Sequence, residues 1–183
     1  MGDISKRVLV VDDKEINRLS AKVLETQGYA VETAPDFLTA LKLLSGMDTG
    51  ERIHCYFEHP SIPKHGILLT DMMFPFGGRD GEFVTMGMAE YGDATREKEM
   101  SLGYPLALYA AKIGVSKIAI ISSTNHHMGP ISATFDLFAQ KWDEERRLYL
   151  TNRFKIQNSD FMMFVNPDRE PKNWAGALEL LLK

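Results

Sequence analysis

Five short apolar runs, each followed by a stretch of helical period, set the architecture of this chain. The runs are RVLVV (Arg7–Val11), YAVETA (29–34), ILLT (Ile67–Thr70), KIAIIS (Lys117–Ser122) and FMMFV (161–165). A strand that is apolar without interruption has to be covered on both faces, which requires helices on both sides of a sheet. The intervening segments supply them. Ile16, Leu19, Val23 and Leu24 fall at i, i+3, i+7 and i+8, which predicts one apolar helical face, with Gly28 as its stop. Asp36 is placed to cap a helix with the face Phe37, Leu38, Leu41 and Leu44. Pro105 opens a short helix ended by Gly114. Pro130 starts a long helix carrying Ile131, Phe135, Phe138 and Trp142, and Trp174, Ala177, Leu178 and Leu181 make the last helix amphipathic. The alternation predicts an α/β fold, a doubly wound parallel sheet of five strands.

The rest of the chain narrows the class. Its 183 residues fit one domain, and 44% hydrophobic against 25% charged residues gives enough apolar material for a core. A formal net charge of −4 offers no basic footprint for nucleic acid. The single cysteine, Cys55, cannot close an internal disulfide, the N-terminus has no signal-like run, and no apolar run is long enough to span a membrane. These features predict a cytoplasmic protein. The five histidines (His54, His59, His65, His126 and His127) lie with Cys55 in irregular stretches, in a spacing that matches no closed zinc site. DEERR, 143–147, reads as a solvated helix face, and GGRDG lacks the spacing and lysine of a phosphate-binding loop.

In a parallel α/β sheet the ligand crevice lies at the carboxyl ends of the strands. Asp12 and Asp13 follow the first strand directly, and Asp71 follows the third. If those strands are neighbours, three carboxylates converge and repel, and they need a cation. Oxygen ligands at a half-open site favour Mg²⁺, which also accepts phosphate oxygens. Ser122, ending the fourth strand, adds a hydroxyl beside the same pocket. The plainer alternative is that Asp12 and Asp13 cap the first helix and Asp71 is a turn residue.

The stretches VLVVDDKEINRLSAKVLETQGYAVETAPDFLTALKLL, LLTDMMFP, RDGEF and IAIISS resemble the response-regulator receiver domains of two-component signalling. LLTDMMFP is similar to the phosphoacceptor motif, down to a proline four residues after the aspartate. The resemblance implies a CheY-like sheet in the order 2-1-3-4-5. It makes Asp71 the phosphoacceptor and assigns Mg²⁺ to Asp12, Asp13, Asp71 and the backbone carbonyl of Met73. It places Ser122 on the phosphoryl group. A histidine kinase or phosphotransfer protein would be the donor. The output would be binding of a downstream protein through the face around the fourth helix and fifth strand. Such a chain is a phosphoryl acceptor, not a turnover enzyme, and with no output domain after the last helix it is expected to stand alone.

The sequence departs from the family at one charged position. Receivers end the fifth strand with Lys-Pro; here the pair is Asn166-Pro167, and the nearest cations, Arg169 and Lys172, are off register. The family's aromatic switch position falls on Met163, beside Phe164. The chain is also longer, with insertions near 46–65, 76–103 and 143–157, the second expected over the acidic site. Two rivals follow: a pseudo-receiver that binds partners without phosphorylation, and a Mg²⁺-dependent phosphohydrolase with Asp71 as nucleophile.

Overall fold

The structure is a computed structural model that describes residues 3–46, 63–75, 77, 101–122, 141–167 and 170–183. In chain order the first elements are β1 (Arg7–Val11), α1 (Glu15–Ser20), α2 (Val23–Thr26), β2 (Ala30–Ala34), α3 (Phe37–Ser45) and β3 (Ile67–Thr70). They are followed by α4 (Gly103–Ile113), β4 (Lys117–Ser122), β5 (Lys141–Asp143), β6 (Leu148–Leu150), β7 (Phe154–Ile156), β8 (Ser159–Val165) and α5 (Trp174–Leu182).

The order β2-β1-β3-β4-β8 is parallel throughout, the doubly wound arrangement that the alternating runs require. Burial explains why these strands read as unbroken apolar runs. In β1, Leu9 and Val11 pack with α3 and α4 on one face, while Val8 and Val10 pack with α2 and α5 on the other. All four are fully buried, and each contributes roughly 1.5–3 kcal/mol by leaving water. Helix ends follow the sequence signals. Asp36 Oδ1 accepts from the backbone N–H of Thr39 at 2.8 Å, and Gly46 and Gly114 close α3 and α4 in the left-handed conformation.

Three antiparallel strands enlarge the sheet. β6 pairs with the carboxyl half of β8, β7 with its amino half, and β5 pairs with β6. The outer edge of the fifth parallel strand is therefore occupied. Two helical expectations are corrected here. Trp142 lies in β5, stacked against Tyr149 across the strand pair at 4.7 Å between ring centroids, and so belongs to no helix. In the DEERR run, Asp143 ends β5 and residues 144–147 form the turn of the β5–β6 hairpin. Asp143 accepts from the backbone N–H of Arg146 at 2.8 Å, and Arg147 has φ of 54°. Of the insertions near 46–65 and 76–103, residues 47–62, 76 and 78–100 lie outside the described residues, so their placement relative to the site does too.

The first helical region is corrected as well. It breaks at Ala21–Lys22 into two short helices, and its buried positions are Asn17, Ala21 and Leu24, at i, i+4 and i+7. Ile16, Leu19 and Val23 point outward, 51%, 52% and 47% exposed. A polar residue, Asn17, opens the inward face, and Ile16, Leu19 and Val23 stand to one side of it in solvent. Urea unfolding should separate the two faces. Leu24→Ala should cost about 2–5 kcal/mol, while Leu19→Ala should stay within about 0.5 kcal/mol of wild type. Equal losses would restore the single buried face that the spacing suggested.

Candidate acidic metal site

Strand register brings the carboxylates together. Val11 pairs with Thr70, and the Asp71 N–H donates to the Val11 carbonyl at 2.7 Å, so Asp12 and Asp71 leave adjacent strands at one level. One oxygen each from Asp12, Asp13 and Asp71 lie within 4.8 Å of one another. Two backbone arrangements hold them there. Arg18 Nη1 donates to the carbonyls of Asp12 at 2.7 Å and Asp13 at 2.6 Å, folding the acidic turn around a cation. On the other strand, Gly103 at the start of α4 donates its N–H to the Met72 carbonyl at 3.1 Å. A Cβ at 103 would stand 2.3 Å from the Asp71 carbonyl oxygen, so only glycine permits this approach of helix to strand end.

The charge missing from Asn166 arrives from elsewhere. Lys172, seven residues beyond the end of β8, places its fully buried ammonium 2.6 Å from Asp12 Oδ2 and 2.6 Å from Asp71 Oδ2. Buried charges persist when they are paired and hydrogen-bonded, and both carboxylates are. Asp12 also accepts from the Lys14 N–H at 2.9 Å and from Asn17 Nδ2 at 3.1 and 3.2 Å. Asp71 Oδ1 accepts from the Met72 N–H at 2.6 Å. Lys14 and Glu170 form a 2.5 Å ion pair that joins the acidic turn to the segment carrying Lys172.

Two buried atoms at this end of the sheet, Asp13 Oδ1 and Asn166 Nδ2, have no hydrogen-bond partner among the described residues. Buried polar atoms are normally satisfied. An orphan carboxylate oxygen beside two further carboxylates is what a hard cation would fill, and an orphan donor is what an added acceptor oxygen would fill. The residues present therefore fit Mg²⁺ held by Asp12, Asp13 and Asp71. Ser122 is fully buried, and its carbonyl accepts from the Asn166 N–H at 2.8 Å, which ties the ends of β4 and β8 together. Met73 stands half-buried two residues past Asp71. Met163 is buried within β8, where Tyr104 donates its hydroxyl to the methionine sulfur at 3.4 Å. His65 lies at the opposite, amino end of the sheet, buried, with Nε2 2.9 Å from Glu32; its burial pushes the imidazole pKa down against the pull of Glu32. His54, Cys55, His59, His126, His127 and Arg169 lie outside the described residues. Asn17, with no metal-ligand or catalytic signature, escapes a reading of the sequence; its only signal is a polar residue at a core-facing helical position.

Burial pushes Asp71 up to about 6, with the neighbouring Asp12 charge adding to the shift and Lys172 and the Met72 N–H opposing it. The linkage has a definite sign. An unfolded carboxyl titrates near 3.8 and the folded one near about 6, so the folded state binds the extra proton between them. The contribution of Asp71 to stability therefore falls as pH rises through that window and stays low above it. The stability advantage of Asp71→Asn over wild type should grow between about pH 4 and about pH 7 by up to roughly 3 kcal/mol. Chemical denaturation at several pH values reads this directly, and a difference independent of pH would contradict the burial.

No family model and no curated protein matches this chain. Among solved structures it is similar to a CheY-like response regulator receiver domain protein of Methanospirillum hungatei JF-1. The identity is 16%, the TM-score 0.49, and the match covers 96% of this chain and 92% of that one. It is also similar to the chemotaxis protein CheY4 of Vibrio cholerae, at 14% identity and TM-score 0.42 over 97% of this chain and 98% of that one. A third similarity is to the response regulator TrrA of Thermotoga maritima, solved in complex with Mg²⁺-BeF. Here the identity is 19% and the TM-score 0.34, over 70% of this chain and 79% of that one. The fold itself rests on strand order and register: a CheY-like doubly wound sheet, enlarged at one edge by three antiparallel strands.

Proposed function

We propose that this chain is a receiver: it accepts one phosphoryl group on Asp71 with Mg²⁺ and acts by binding other proteins, not by turnover. The observation that carries the reading is the buried ammonium of Lys172 between Asp12 and Asp71, beside the unpartnered Asp13 oxygen. Bound Mg²⁺ would neutralise charge developing on the phosphoryl oxygens. Asp12, Asp13 and Asp71 would hold it, with the Met73 carbonyl as a further ligand. The Asp71 carboxylate oxygen attacks the phosphorus of a phosphohistidine or small phosphodonor. A new O–P bond forms, the P–N or P–O bond to the donor breaks, and the electron pair leaves with the donor. The product carries roughly two added negative charges. Lys172 then supplies the positive charge, Asn166 Nδ2 a donor and Ser122 a hydroxyl. The pseudo-receiver reading rests on Asn166 in place of a lysine and on the long insertion; Lys172 between Asp12 and Asp71 speaks against the first ground.

A docking surface for the donor adjoins the site. Ile16, Leu19 and Val23 form an exposed apolar stripe, and α1, which carries the first two, begins two residues after Asp13. A helical phosphohistidine protein lying along that stripe would present its phosphoryl group to the acidic turn.

Two tests follow. Incubation with acetyl phosphate and Mg²⁺ should add the mass of one phosphoryl group to the wild type and none to Asp71→Asn. Lys172→Met should weaken the Mg²⁺-dependent binding of beryllofluoride by about tenfold or more, as expected for a lost charge-assisted hydrogen bond. Asn166→Lys should not strengthen it. Release of inorganic phosphate from phosphoesters over many turnovers would favour the hydrolase instead. For the stripe, Leu19→Glu should slow transfer from a phosphohistidine protein that serves the wild type while leaving the acetyl phosphate reaction unchanged. Equal slowing of both would remove the docking role.

A further inference from the structure

Lys172 does not sit at the end of a strand, where backbone pairing would fix it, so another group has to set its position. We infer that Asn17 is that positioning residue, an inference that rests on the receiver reading above. Asn17 lies fully buried in α1, at the helical position between strand β1 and Ala21 where the core face calls for an apolar side chain. Its amide bridges the two halves of the site. Nδ2 donates to Asp12 Oδ1 and Oδ2 at 3.1 and 3.2 Å, and Oδ1 accepts from the Lys172 backbone N–H at 3.0 Å. One side chain thus gauges the distance between a metal-ligating carboxylate and the backbone from which the lysine reaches.

The backbone of the same residue completes the latch. The Asn17 carbonyl accepts from the Trp174 indole N–H at 2.8 Å, and the Trp174 ring lies 5.5 Å from Lys172 Nζ. Ser20 Oγ donates to the Asn17 carbonyl at 2.7 Å and lies 3.4 Å from the Lys172 carbonyl. Lys172 is therefore keyed to α1 and to the first residue of α5, and not to the end of β8. Replacing Asn17 with an apolar side chain of similar volume would leave the Lys172 N–H buried without its acceptor and release the main chain that carries the ammonium. Asn17 itself touches neither metal nor phosphoryl group; it acts through Lys172.

The test is a double-mutant cycle on the full chain, reading beryllofluoride affinity at saturating Mg²⁺ so that changes in metal binding through Asp12 do not enter. Asn17→Leu and Lys172→Met should each weaken the affinity by about tenfold or more, and the double variant should be no weaker than Lys172→Met alone within about twofold. Should Asn17→Leu not fold, Asn17→Ala carries the same cycle. An unchanged affinity on replacing Asn17, or losses that multiply in the double variant, would overturn the inference and leave Asn17 a packing residue. A wild type that fails to bind beryllofluoride with Mg²⁺ would overturn the receiver reading and this inference together. That outcome is distinct from multiplicative losses, in which the wild type binds.

Discussion

An ammonium buried between two carboxylates is the interaction on which this molecule turns. Lys172 touches Asp12 and Asp71 at 2.6 Å each, in a site from which water is nearly excluded. Removing three charges from water is costly, and the pairing offsets that cost only because each carboxylate also accepts backbone or amide hydrogen bonds. The offset is incomplete at Asp71, whose carboxyl is pushed up to about 6 by burial. A divalent cation beside it would favour the charged form and offset the remainder. Around this centre, the β1–β3 register, the Arg18 clamp on the acidic turn and the close approach of Gly103 to Asp71 serve one end: they fix where the carboxylates stand.

The added strands close one edge of the parallel sheet. β6 and β7 occupy the outer edge of β8, so that edge is closed to partner pairing. Lys172, by contrast, is tied to α1 through Asn17 and leads directly into α5. A displacement of its ammonium toward an added phosphoryl group would strain those ties before any in the hairpin. The exposed stripe of Ile16, Leu19 and Val23 flanks the same helix. Under the proposed receiver function, recognition of a donor and response to the phosphoryl group would fall on one side of the domain.

The sequence revealed the scaffold because its logic is local. RVLVV and KIAIIS are apolar without alternation because both faces are covered, and Asp36, Gly46 and Gly114 mark helix ends through their own backbone chemistry. The acidic cluster was legible for the same reason: each aspartate directly follows a strand, and parallel register does the rest. What stayed hidden depends on distant residues. The sequence offers Arg169 and Lys172 as the cations near Asn166, but nothing local selects Lys172, since its partners lie 160 and about 100 residues away along the chain. The helical spacing of Ile16, Leu19 and Val23 predicts an inward stripe, whereas the buried position beside them is Asn17, a polar residue whose hydrogen bonds close only in the folded state. The spacing of Trp142 from Phe138 fits a helix, but pairing with β6 makes Trp142 part of a strand.

The most direct measurement of the central claim is a crystal structure of the full chain with Mg²⁺ and beryllofluoride. The account predicts a beryllofluoride adduct on Asp71, Mg²⁺ held by Asp12, Asp13 and Asp71, the Lys172 ammonium donating to one fluoride and Asn166 Nδ2 to another. An adduct whose fluorides are held by a different cation, with Lys172 still bridging Asp12 and away from the fluorides, would contradict it.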